Sequence, residues 1–296
     1  MWLGTKRGYL QDWITQLWVE VTGKRITLNE YPWLYGPVGQ TDKIGDQFVQ
    51  HLAEKESLRV VKEGAGLGLL NSLRELNLPD HYVSMLNPRI KDFYTSTANY
   101  DFEVWSTWKG LCYPFGSLLN LLFSKRLQQL NLPLDPLDSS RGIESNIWKL
   151  YSEDNPVYTI WYRILKSTKN VIYSGVYSTL FLPSIGETCL KVIFPLPNGN
   201  ATVIMKIRVQ DDGSLLLISE GRNFGDPGFY FFLTNHDNTT QWAKYVRAMH
   251  ETIHVYEDEA NVLRTDHVLK FYGSLFLKLH YRINPKVTIN TMTNSS

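Results

Sequence analysis

The amino-acid sequence predicts an α+β fold, a helical N-terminal region packed on a curved antiparallel β-sheet or barrel. Three observations carry this expectation. Apolar residues recur at helical spacing through the first half and at a period of two from near residue 150. The later runs are separated by tight-turn pairs, and Asn198-Gly199 and Asp212-Gly213 are strong hairpin signals, so successive strands form a meander. Several of those runs are apolar on both faces, FYFFL at 229–233 being the plainest, so one face must pack on helices or line a cavity. The expected division is a mainly helical region over 1–144, an antiparallel β region over 145–285 and a polar tail over 286–296. Roughly eight strands would suffice to close a barrel of lipocalin size.

The helical half begins with 9–21, where Leu10, Trp13, Ile14, Leu17, Trp18 and Val21 keep helical spacing and Gly23 is the stop. YPWLYGPVG at 31–39 is a loop on its two prolines and two glycines. Thr41-Asp42 precede a second helix over 44–56, with Ile44, Phe48 and Leu52 on one face. The glycines at 64, 66 and 68 read as a turn before a helix over 69–76. A dinucleotide cradle needs GxGxxG between a strand and a helix, and here the third glycine comes one position early. From 88 to 130 the pattern again reads helical, with Asn87 as cap, Pro88 at the first position, and Phe102, Trp105, Trp108 and Leu111 continuing the spacing. NLPLDPLDSSRG at 131–142 is a connector.

The β half follows as short runs over 171–182, 190–196, 201–209, 214–219 and 229–233, then a hairpin of 262–270 and 274–283 around Gly273. In that last run Leu275, Leu277, Leu279 and Tyr281 share one face and Phe276, Lys278, His280 and Arg282 the other.

Composition excludes several classes. With 30 basic and 29 acidic residues the formal charge is +1, so no nucleic-acid partner is expected. Cys112 and Cys189, the two cysteines, are too far apart in sequence for a CxxC metal or redox site. The first residues lack the continuous apolar stretch of a secretory signal, which makes a cytoplasmic location the expectation. The amphipathic stretch 111–126, ending in Lys125-Arg126, has the pattern of a peripheral membrane contact, but a core helix accounts for it better. Nine Trp, 17 Tyr and 13 Phe favour a thick core or a pocket with flat walls.

The sharpest motif is HETIH at 250–254. On a helix His250 and His254 would face one way and share a zinc ion, Glu251 would act as general base, and His267 or Asp266 would be the third ligand. The short segment resembles zinc peptidases in this respect, although the position where a further histidine would fall is Ala260 and no glutamate follows Glu259. The same segment reads equally as a strand, which is the expectation from His254 onward. In a strand the two histidines lie about 13 Å apart, too far for one ion.

The segments YPWLYGPVGQTDKIGDQF, NPRIKDFYTSTANYDFEVWSTW, PFGSLLNLLFSKRLQQLNLPLDPLDSSRG, VIFPLPNGNATV and VLRTDHVLKFYGSLFLKLHYRI together resemble a family of uncharacterised bacterial proteins of similar length. The resemblance implies that the two halves occur as one unit. It brings no activity, cofactor or catalytic residue.

Two functions are therefore expected from the residues. The favoured one is binding of a small apolar or amphipathic ligand between curved sheet and helices, without a cofactor, with Trp161, Tyr173, Tyr177, Phe194, Tyr230 and Phe232 as the wall. The alternative is a zinc-dependent hydrolase with Glu251 as the catalytic residue and His250, His254 and His267 on the metal.

Overall fold

The computed structural model describes residues 10–39, 47–62, 66–108, 142–167, 169, 171–235 and 239–286. In chain order the elements are α1 (Leu10–Thr22), β1 (Lys24–Ile26), α2 (Gln47–Glu56), β2 (Arg59–Val61), α3 (Asp80–Met85), α4 (Pro88–Thr95), β3 (Tyr100–Trp108), β4 (Ile143–Ser152), β5 (Asn155–Leu165), β6 (Val171–Leu182), β7 (Glu187–Leu196), β8 (Gly199–Val209), β9 (Leu215–Ser219), β10 (Gly228–Thr234), β11 (Gln241–Tyr245), β12 (Met249–Glu257), β13 (Leu263–Phe271) and β14 (Ser274–Pro285). Ten of these strands close into an antiparallel barrel in the order β8-β7-β6-β5-β4-β3-β14-β13-β12-β9, with β9 returning to β8.

Closure depends on β8. Its first half pairs with β10, as in Tyr230↔Thr202, and its second half pairs with β9, as in Lys206↔Ile218. The sheet forks there, and β10, β11 and β1 run off as an outer ribbon. The two strong hairpin signals hold: Asn198 (φ 59°) turns β7 into β8, and Gly213 (φ 79°) lies in the turn from β8 to β9.

Alternation along the strands supplies two apolar layers. Leu190, Val192 and Phe194 of β7 and Ala201, Val203, Met205 and Ile207 of β8 point into the barrel. Their neighbours Cys189, Ile193 and Ile204 point outward. Phe48, Val49, Leu52 and Ala53 of α2 cover Trp148, Leu150, Ile160 and Val176 on the outer face. Leu34 and the ribbon residues Tyr230, Phe232 and Ala243 cover Ile204 and Cys189. Strands buried on both faces are expected to read as nearly unbroken apolar runs, and they do.

The helical region is smaller than the sequence suggests. Residues 100–108, read as helix, form β3: Tyr100, Phe102 and Val104 are buried while Asp101 and Glu103 alternate with them. The spacing of Phe102, Trp105 and Trp108 imitates a helix, but pairing with β14 (Tyr281↔Val104, Ile283↔Phe102) wins. The helix expected over 69–76 reduces to a single 3-10 turn, Leu73–Leu76, opened by a capping box of Ser72 and Glu75. Leu69 and Leu70 precede it in a buried bend. Gly68 is required there, because a Cβ would lie 2.2 Å from the Thr95 backbone. In α1 the residues turned inward are Asp12, Gln16 and Val19, while Ile14, Leu17 and Val21 are exposed. Gln16 explains part of this reversal, its amide donating to the Pro197 carbonyl at 3.1 Å. The stretch 111–126, the connector to 141, Cys112, Ile44 and the tail from 287 lie outside the described residues. Among the described residues no helix is long and apolar enough to cross a membrane.

Candidate functional site

α4 closes one end of the barrel. The Asn87 side chain accepts from Arg89 N at 2.8 Å with Pro88 at the first helical position, as the sequence predicts. The helix is tied to two rim turns. Asn87 N–H donates to the Gly213 carbonyl at 2.9 Å, and its amide donates to Glu257 Oε2 at 2.6 Å. Arg89 Nε lies 3.1 Å from Glu257 Oε1, and its guanidinium also donates to the Asn261 carbonyl. Ile90, Phe93 and Tyr94 are thereby held inward.

Beneath this cap lies a cavity of about 240 Å³. Its wall is mostly apolar and flat: Phe93, Phe102, Trp161, Tyr177, Phe194 and Phe229, with Val192, Val203, Met205 and Leu217 between them. Trp161 is fixed by its indole N–H, which donates to Ser145 Oγ at 2.8 Å, and by edge contacts with Phe93 and Tyr177. Burial pushes the Tyr94 phenol well above its ordinary value, and the nearby Tyr177 opposes the rise.

A polar group interrupts this wall. Arg163, Glu251, Thr265, His267 and Tyr281 all face the cavity. Arg163 is 9% exposed, and its guanidinium carbon lies 4.3 Å from the centre of the Trp161 ring and 5.7 Å from that of Tyr281. Its charge lies close enough to the Tyr281 phenol to influence its titration. Burial raises the Tyr281 phenol pKa; Arg163 opposes the rise, and the nearby Glu251 carboxylate adds to it. Glu251 Oε2 and His267 Nε2 are 2.7 Å apart, with both side chains less than one-fifth exposed. A buried cation, a carboxylate bonded to an imidazole, and a phenol thus meet at one region of an otherwise apolar chamber. Such groups orient a bound molecule, and their burial is costly unless each is paired.

The sequence-predicted residues divide. Trp161, Tyr177 and Phe194 are brought together on the cavity wall. Tyr230 and Phe232 are not, because β10 alternates and they lie on the opposite face from Phe229. Tyr230 is fully buried in the outer layer, its hydroxyl donating to the Asp226 carbonyl at 2.5 Å. Phe232 borders a second cavity, also of about 240 Å³, beside α2. Tyr173 lies in β6 and its side chain falls outside the described residues.

HETIH lies wholly in β12. Glu251 points into the cavity with Met249, Ile253 and Val255, while His250 and His254 take the other face, about 13 Å apart by strand rise. The chelating pair expected from a helix is therefore not formed. His254 instead meets Ser214 Oγ at 2.9 Å and stacks on Tyr256. His267 is on the inner face with Glu251, and Asp266, on the outer, bonds His280 at 2.7 Å. Among the described residues no group of three or more His, Cys, Asp or Glu is placed to hold a metal ion.

Arg163, Glu251 and His267 as a cavity group are missed by motif reading. The available signal is parity: Arg163 is two residues from Trp161, and Glu251 two from Ile253. No protein-family model, no curated protein and no solved structure matches the chain, so the cavity has to be read from its own side chains.

Proposed function

We propose that this protein binds a small amphipathic molecule inside the barrel, its apolar body against Trp161, Phe102 and Phe194 and its polar end at Arg163, Tyr281, Glu251 and His267. The observation that carries the reading is the pairing of an aromatic-walled cavity of about 240 Å³ with one buried polar group. Ordinary ligand pockets begin at about 300 Å³, so the cavity suits a compact ring-bearing molecule better than a long chain.

The test is a cavity-filling substitution. Val203 lies on the wall and is 3% exposed, so Val203→Trp would place an indole where the ligand goes. The wild-type protein is expected to bind a naphthalene-ring probe, read by quenching of tryptophan fluorescence, and the folded variant to lose it. Equal binding by both proteins would place the probe elsewhere and end the proposal. Val203→Leu, a smaller intrusion, should weaken binding by an intermediate amount and guards against a Trp variant that fails to fold.

A further inference from the structure

We infer that His267 Nδ1 accepts a hydrogen bond from the ligand, so that the ligand's polar end is a neutral donor carried on a compact ring, as in a phenol; this rests on the cavity reading above. Three observations converge on it.

The first fixes the proton on the imidazole. His267 Nε2 lies 2.7 Å from Glu251 Oε2. A carboxylate only accepts, so this bond needs the ring proton on Nε2. A singly protonated ring then presents its lone pair at Nδ1. The second is the setting of that nitrogen. His267 stands directly opposite Ile253 on β12 and Leu279 on β14, and both neighbours are apolar. Among the described residues nothing bonds Nδ1, and the atom is not sealed from solvent. The side chain lines the cavity and keeps 19% of its surface accessible. The third is the state of the neighbouring charges. Arg163 is engaged within the protein, lying against the rings of Trp161 and Tyr281, and Glu251 is bonded to His267. These charged groups are therefore already answered within the chain, and His267 keeps an acceptor for the ligand. A wholly apolar ligand would strip water from that acceptor and return nothing. A ring hydroxyl would donate to it while the ring itself lies against the aromatic wall.

The experiment uses three neutral probes built on one ring system: 2-naphthol, which donates, 2-methoxynaphthalene, which only accepts, and naphthalene, which does neither. Each is titrated into the full-length protein at pH 7.5. The expected result is that 2-naphthol binds at least tenfold tighter than both others, because a site built around a hydrogen bond discriminates against analogues that lack it. Naphthalene is smaller than 2-naphthol and 2-methoxynaphthalene is larger, so size alone cannot produce this order. The preference should vanish in His267→Gln, whose amide can keep the bond to Glu251 but places no acceptor where Nδ1 lies, and in His267→Phe, which keeps a flat ring. Naphthalene binding should be little changed in both variants. Equal affinities in the wild-type protein, tighter binding of 2-methoxynaphthalene, or a preference that survives in either variant would overturn the assignment of His267 and leave the cavity reading standing. If no probe binds, or if all bind Val203→Trp as well as wild type, the cavity reading fails and this inference fails with it. The wild-type comparison needs no variant to fold.

Discussion

Glu251 and His267 are diagonal neighbours on the inner face of the β12–β13 ladder: Ile253 is directly opposite His267, Glu251 is directly opposite Leu269, and the carboxylate reaches across the diagonal to the imidazole at 2.7 Å. Diagonal positions are within reach of long side chains, and this one is supported by the ladder on both sides because β12 also pairs with β9.

The bond should be measurable as a coupling. Removing one partner leaves a buried polar group unsatisfied, at about 1–3 kcal/mol, whereas removing both leaves neither exposed to that cost. In urea unfolding, Glu251→Leu and His267→Leu are each expected to destabilise by that order, and the double variant by clearly less than their sum. Additive effects would mean that the two side chains do not hold each other.

Lys191 gives a pH signature. Its ammonium donates to the Trp33 and Tyr35 carbonyls from a 5% exposed site, and burial lowers its pKa to about 8 from 10.5. The folded group is thus the first to lose its proton. Between pH 8 and 10.5 the unfolded chain binds the proton that the folded chain lacks, so this residue's contribution to stability rises with pH in that window. Referred to Lys191→Met, wild-type stability should rise by up to about 3 kcal/mol across it. A flat or falling difference would show the site holds its proton normally.

The cap depends on one backbone approach. A Cβ on Gly213 would lie 2.7 Å from the Met85 carbonyl, at φ 79°, where L residues are strained. Gly213→Ala is expected to cost about 1–3 kcal/mol in thermal unfolding and to speed exchange of the α4 amides. Asn87→Ala, which removes the helix cap and the Glu257 contact together, should do likewise at about 1–2 kcal/mol. Unchanged exchange in both would mean that α4 is held by its apolar face alone.

The strand setting of HETIH makes a metal prediction with a sign. Because His250 and His254 cannot share an ion across about 13 Å, His254→Ala should leave zinc affinity unchanged in competition with a chromogenic chelator. A tenfold loss would require the two imidazoles to converge.

Local pattern carried much of the β half. The turns at 198–199 and 212–213 and the alternation of Leu277, Leu279 and Tyr281 against Lys278, His280 and Arg282 are visible one strand at a time, and the structure keeps them. What local pattern lacks is the partner. β9 joins β12 across two intervening strands, and that long-range pairing closes the barrel. β3 was hidden for the same reason: three aromatics at intervals of three look helical until β14 is beside them. The polar end of the cavity joins Arg163 of β5, Glu251 of β12, Thr265 and His267 of β13 and Tyr281 of β14, so no single segment carries more than two of its members.

β8 holds a further consequence. Val203 and Met205 face the cavity, Ile204 between them is fully buried in the outer layer, and the same strand passes its partners from β10 to β9 midway along. Most strands of a barrel can drift in sequence on the side that meets water, but here every position from 201 to 205 answers to packed neighbours. A substitution that enlarges the chamber for a new ligand must also keep the fork, and one that repairs the outer layer is felt one residue away at the ligand's wall. Among related chains, this stretch should therefore change slowly and in concert, and a library that randomises the cavity should leave β8 for last.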